Sequence, residues 1–198
     1  MMSINDFLYL NSAYNMGEGH SGQVSEQTDT LKKLVSNPSI KNVLEIGFNS
    51  GHSADTFLSS NTNIKLVSFD IGTERNVILG KTYVDRKHSF RHCLIIGDST
   101  ITVPEFVKEH PDLKFDLIFI DGGHTYDIAT KDIMNCKELA HPDTIVAMDD
   151  VVHDSNMEYC VGPTKAWTDA ASKNVVIITN TVKFKENRGM SWGKYILS

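Results

Sequence analysis

The sequence is short of cysteine, of positive charge and of long apolar runs. Its 198 residues hold three cysteines, Cys93, Cys136 and Cys160, too few and too scattered for a disulfide framework. No CxxC pair suggests a zinc site, and reduced thiols are expected. Lysine and arginine number 19 against 25 aspartates and glutamates, a formal net charge of −6. An acidic surface repels phosphate backbones and no basic run reverses this, so a nucleic-acid partner is not expected. No apolar stretch reaches membrane-spanning length, so no membrane partner is expected. The first ten residues include Asn5 and Asp6 and lack the apolar core of a signal peptide, and a cytoplasmic location is expected. Internal repeats and low-complexity tracts are absent as well.

What is present is alternation. Short runs rich in valine and isoleucine fall at 42–46, 65–70, 93–97, 115–121, 144–148, 174–179 and 191–197. Several are apolar on successive residues, which implies burial on both faces, as in a parallel sheet. Helix-like stretches lie between them at 25–35, 53–60, 73–84, 104–110, 125–139 and 162–172. This order predicts an α/β fold, a doubly wound and mostly parallel sheet of seven strands. The connection at 180–190 is too short for a helix and predicts a hairpin, which makes the last strand antiparallel. Residues 24–198 are expected to form this domain. Residues 1–23, glycine-rich and polar over 15–22, are expected to be a leader, either mobile or a lid over the site.

In such a sheet, ligands bind at the carboxyl ends of the strands. The first strand runs into Glu45-Ile46-Gly47-Phe48-Asn49-Ser50-Gly51, where Gly47 permits a tight turn and close backbone approach. This is not the GxGxxG that cradles a pyrophosphate. The second strand ends at Asp70, whose carboxylate suits both hydroxyls of a ribose. The third ends in Gly97-Asp98-Ser99, where Asp98 can accept from an adenine amino group, joined by the Ser99 hydroxyl, and can also cap the next helix. The fourth ends in Asp121-Gly122-Gly123-His124 and the fifth in Asp149-Asp150. Three carboxylates at one rim are costly to bury without a cation, and oxygen ligands suit Mg²⁺ or Mn²⁺.

In this order, ExGxxxG, Asp, GDS and FDLIFIDGGH, the chain resembles class I methyltransferases that use S-adenosylmethionine (SAM). The acidic rim resembles the metal-dependent O-methyltransferases, both the catechol O-methyltransferase group and the macrocin-type sugar O-methyltransferases. Asp150 stands where the catechol group has an asparagine, which brings the chain nearer the sugar enzymes. The resemblance implies SAM held by Glu45, Gly47, Phe48, Asn49, Ser50, Gly51, Asp70, Asp98, Ser99 and Asp121, with Glu45 meeting the positive end of the cofactor. It implies Mg²⁺ or Mn²⁺ on Asp121, Asp149 and Asp150, holding two adjacent oxygens of a vicinal diol. Asp121 and His124 are the expected catalytic residues, His124 as a neutral general base where the catechol group has its lysine.

The expected acceptor is a small molecule or glycan, most simply a sugar. Alternatives are a catechol-like phenol, a metal-independent methyltransferase acting on nitrogen or a carboxylate, a nicotinamide-dependent oxidoreductase, or a fold that has lost catalysis. Assembly into a homo-oligomer is left open. Tyr14, His20, Tyr126, His153, Asp154, Arg188 and Trp192 are weaker candidates for the acceptor side.

Overall fold

The strands form where β-branched and aromatic residues run together, and the β4 segment Phe115–Ile120 shows why they lie inside. Its residues are buried on both faces of the sheet, apart from the half-buried Asp116. The computed structural model describes residues 2–11, 20–73 and 75–197. In chain order these form α1 (Ile4–Leu10), a 3-10 turn (Ser21–Gln23), α2 (Ser25–Leu34), β1 (Asn42–Ile46), α3 (His52–Ser60), β2 (Lys65–Asp70), α4 (Arg75–Lys87) and β3 (His92–Ile96). There follow α5 (Ser99–Glu109), β4, α6 (Tyr126–Lys137), β5 (Ala140–Asp149), α7 (Glu158–Ser172), β6 (Val176–Lys183) and β7 (Gly189–Tyr195).

The sheet has the order β3-β2-β1-β4-β5-β7-β6. Strands β1 to β5 pair in parallel, and β7 is antiparallel to both β5 and β6. The predicted doubly wound sheet with a reversed last strand is therefore the observed one. Ile46 pairs with Phe69 on one side and Ile120 on the other, so the carboxyl ends of β1, β2 and β4 finish level. Alternate residues sort the core into two layers. Val43 and Phe119 face Leu31, Phe57 and Leu58 of α2 and α3. Leu44, Ile118 and Ile120 face Val103, Ile133 and Trp167 of α5, α6 and α7. Among the described residues, no helix is long and apolar enough to cross a membrane.

The differences from the sequence reading have local causes. Strand β5 begins at Ala140 rather than 144, because Ala140 pairs with Phe115 before a register shift. Thr144 Oγ1 donates to the Phe115 carbonyl at 2.6 Å across that irregularity. Helix α5 begins at Ser99, five residues before Pro104, because the Asp98 side chain accepts from Thr100 N and caps the first turn. Strands β6 and β7 reach further toward each other than predicted, with a register shift between Ile178 and Asn180, and leave a turn over 184–188. Glu186 and Asn187 turn there at φ of 59° and 57°.

Within residues 1–23, α1 is an element the sequence pattern did not reveal. Ser3 caps it by accepting from Asp6 N, and Leu8 is fully buried in the first core layer. Tyr83 of α4 donates its hydroxyl to the Met2 carbonyl at 3.0 Å. The expected mobile or lid-forming stretch at 15–22 lies outside the described residues over 15–19, as does Tyr14.

Trp167 is the largest fully buried side chain, and its Nε1 donates to Ser191 Oγ at 2.8 Å. Trp167→Ala should cost about 3–5 kcal/mol through the cavity it leaves, the Ser191 hydroxyl keeping its bonds to the Asn180 carbonyl and Thr181. Chemical denaturation checks this as a lower midpoint with an unchanged m-value.

Candidate active site

Where β1, β2, β3, β4 and β5 end, their loops enclose a cavity of about 670 Å³. The β1 loop forms one wall. Gly47 has φ of +92°, and a Cβ there would stand 1.8 Å from the Asp121 carbonyl oxygen, so no side chain fits. Asn49 at φ 47° and Gly51 at φ 82° continue the turn into α3. Gly47, Phe48, Asn49 and Ser50 line the cavity. The Phe48 ring turns inward and stacks on His92 at 4.9 Å. Ser50 is fully buried and donates to Asn49 Oδ1 at 3.1 Å.

Asp70 holds this wall in place. Its Oδ2 accepts from Phe48 N at 3.0 Å and Asn49 N at 2.7 Å, and its Oδ1 accepts from Gly72 N at 2.7 Å. The carboxylate lines the cavity but has three of its roughly four lone-pair sites occupied. The expected grip on two ribose hydroxyls is therefore reduced to about one site on Oδ1. Asp98 and Ser99 also line the cavity. Asp98 caps α5 by accepting from Thr100 N, one of the two roles expected of it. Ser99 Oγ donates to Asp132 Oδ1 at 2.7 Å, a partner that belongs to no motif.

Glu45 is placed otherwise than expected. It is fully buried beneath the loop and does not line the cavity. Ser53 donates to its Oε1 in a very short hydrogen bond, and Ser68 donates to Oε2 at 2.6 Å. Burial pushes its pKa up to about 7, against the pull of these two hydroxyls. It supports the loop from below and does not face a ligand cation.

The acidic rim is rearranged too. Ligand atoms of Asp121, His124 and Asp150 lie within 4.8 Å of one another. Asp149 is turned away: it is absent from the cavity lining, and its Oδ2 accepts from Gln27 Nε2 of α2 at 2.5 Å. The left-handed φ of 56° at Asp150 sends the two adjacent carboxylates in different directions. Burial first, and then the neighbouring carboxylates, raise Asp121 well above the usual range, and burial with the Asp150 charge brings Asp149 to about 7. Arg188, buried and lining the cavity from the β6–β7 turn, opposes both shifts. His124 Nε2 pairs with Asp150 Oδ2 at 3.0 Å. That hydrogen bond raises the imidazole pKa, against the opposing effect of burial.

Of the weaker candidates, His20 and Arg188 line the cavity. His20 stacks on His52 at 3.7 Å between centroids, and His52 Nε2 shares a hydrogen bond with Asn5 of α1 at 2.7 Å. Burial lowers the His52 pKa to about 3, which keeps that ring neutral. Tyr126 donates to Asp169, Asp154 pairs with Lys183, and Trp192 packs against the core, so these three serve elsewhere. Neither they nor His153 line the cavity, whereas Tyr159 and Glu186, not singled out in the sequence, do.

A seven-stranded sheet of this order, with a cavity at the carboxyl ends of its parallel strands, is the class I methyltransferase architecture. The model of a family described as "Methyltransferase domain" matches residues 44–151, and the chain belongs to that family. It is an enzyme of the methyltransferase class. Comparison with curated proteins finds no match. Among solved structures, an O-methyltransferase from Bacillus cereus in complex with S-adenosylhomocysteine (SAH) is similar at 19% identity and a TM-score of 0.78, over 96% of this chain and 90% of that one. The O-methyltransferase TomG of tomaymycin synthesis from Streptomyces achromogenes, solved with SAM, is similar at 16% identity and 0.70, over 98% and 99%. A TDP-rhamnose 3'-O-methyltransferase of calicheamicin biosynthesis is similar at 17% identity and 0.67, over 96% and 86%.

The buried Glu45 makes a pH prediction. Its folded pKa of about 7 exceeds the ordinary 4.5, so between these values the native state binds more protons than the unfolded one. Stability contributed by Glu45 therefore falls as pH rises from 4.5 to 7, by about 3 kcal/mol in all, and is flat above. Glu45→Gln should remove this component. Urea unfolding of both proteins at pH 5 and pH 8 checks it: the variant should gain relative to the wild type at pH 8.

Proposed function

We propose that the chain transfers the methyl group of SAM to a hydroxyl of a vicinal diol on a sugar or glycan, with a divalent metal at the acidic rim. The observation that carries this reading is the convergence of Asp121, His124 and Asp150 within 4.8 Å beside a cavity that also receives the β1 loop. The SAM-bound and SAH-bound neighbours support the cofactor, and the sugar O-methyltransferase among them supports the acceptor class.

The residues fit a metal. Two carboxylates and an imidazole suit a divalent cation of the Mn²⁺ or Mg²⁺ kind, the imidazole favouring the former. Oδ1 of Asp150 and Oδ1 of Asp149 are buried without a hydrogen-bond partner, as expected of rim carboxylates short of positive charge. Asp121 and Asp150 would hold the ion, with His124 beside them and Asp149 behind. When bound, the metal supplies Lewis acidity that lowers the pKa of an acceptor hydroxyl.

The chain does the rest. The β1 loop, fixed by Asp70, forms the wall against which the cofactor would lie. Asp121 stands between cofactor loop and rim, since its carbonyl touches Gly47. His124, hydrogen-bonded to Asp150 at the edge of the cavity, is placed beside the acceptor space. Its imidazole is the group that would take the acceptor proton. Arg188 and Tyr159, which line the same cavity, border the acceptor space.

SAH release, followed with sugar and catechol panels with and without EDTA, tests this reading. Turnover on sugars that EDTA abolishes and Mn²⁺ or Mg²⁺ restores is the expected result, and EDTA-indifferent turnover would remove the metal. His124→Ala should lower kcat by about 100-fold or more while leaving SAH affinity within about twofold, as calorimetry would show.

A further inference from the structure

Asp132 has no part in the mechanism above, yet it is 1% exposed and reaches under two loops that line the cavity. From α6, its Oδ1 accepts the Ser99 hydroxyl at 2.7 Å in the β3–α5 loop. Its Oδ2 lies 3.1 Å from where a Cβ on Gly122 would stand, in the β4–α6 loop, and is buried without a partner. Burial raises its pKa to about 6, so at neutral pH and above it is a carboxylate that can only accept. A serine hydroxyl has one proton and two lone pairs. With the proton committed to Asp132, Ser99 can offer the cavity only lone pairs.

The cavity at this end suits a flat base: Phe69, Ile71 and Ile128 line it along with Gly97, Asp98 and Ser99. We propose that Asp132 is a positioning residue that fixes Ser99 as a hydrogen-bond acceptor, and thereby selects a 6-amino purine over a 6-oxo purine in the cofactor. This rests on the reading of the β3 end of the cavity as the nucleobase slot. A 6-amino group donates to the Ser99 lone pair, whereas a 6-oxo oxygen meets it as a second acceptor and leaves both unsatisfied.

Calorimetric titration of the whole chain with SAH and with S-inosylhomocysteine, its 6-oxo counterpart, tests the assignment. The wild type should prefer SAH by about tenfold or more, as one mispaired buried group requires. In Asp132→Ala the freed hydroxyl can rotate and donate to the 6-oxo oxygen, so the preference should fall toward unity mainly through tighter binding of the inosine compound. Asp132→Val fills more of the volume and should behave alike, which guards against a folding defect in the alanine variant. On a Ser99→Ala background, adding Asp132→Ala should leave the preference unchanged. Equal loss of both ligands in the Asp132 variants would mark a merely structural role and overturn the proposal. So would a change of preference that persists without Ser99, or a wild type that does not discriminate. A wild type that binds neither compound would overturn the cofactor site itself.

Discussion

The contact on which the site depends is the close approach of Gly47 to the Asp121 carbonyl. It joins the loop after β1 to the loop after β4, so that the cofactor wall and the acidic rim are one piece. Gly47 N donates to the Phe69 carbonyl and Asp121 N donates to the Ile46 carbonyl, both at 2.8 Å, and so continue the ladder beyond the strands. Neither loop can shift without breaking sheet hydrogen bonds. Asp70 completes the arrangement by collecting amides from the loops after β1 and β2.

Carboxylates in low dielectric set the second constraint. Glu45, Asp121, Asp132 and Asp149 are raised above their ordinary range, each chiefly by burial. The chain deals with them in different ways. Glu45 and Asp132 receive serine hydroxyls, Asp149 receives the Gln27 amide, and Asp121 is opposed by Arg188. The first three are thereby committed to holding the frame. Asp121 and Asp150 are left lining the cavity, Asp150 with His124 on its Oδ2.

The sheet was legible because buried parallel strands leave runs such as 115–120 that few other structures produce. Strand ends were legible for the same reason: Asp70, Asp98, Asp121 and Asp150 all reach the cavity. Side-chain direction was not. Glu45 sits opposite Ser68 in the ladder, one residue before the strand ends, and its carboxylate falls on the α3 side. Asp149 and Asp150 differ only through a left-handed residue that no local pattern announced. Helix α1, at seven residues, is too short to show a helical period, and packing against α4 rather than propensity explains it. The Asp132 contact joins residues 33 apart, a distance over which sequence spacing carries no information.

The irregularity between Ile178 and Asn180 lies on β6, the outermost strand on its side of the sheet. An edge strand with free backbone groups invites another chain to add to it. Here the bulge twists the edge, and Thr179, Asn180, Thr181 and Lys183 give it a polar, partly charged outline. The edge is thus guarded against strand addition, and the hairpin that carries Arg188 sits outside the parallel strands that position the cofactor loop. Its turn is anchored at both ends, by Phe184 in the first core layer and by the buried Arg188 beside the rim carboxylates, so the outermost hairpin is tied back to the centre of the sheet.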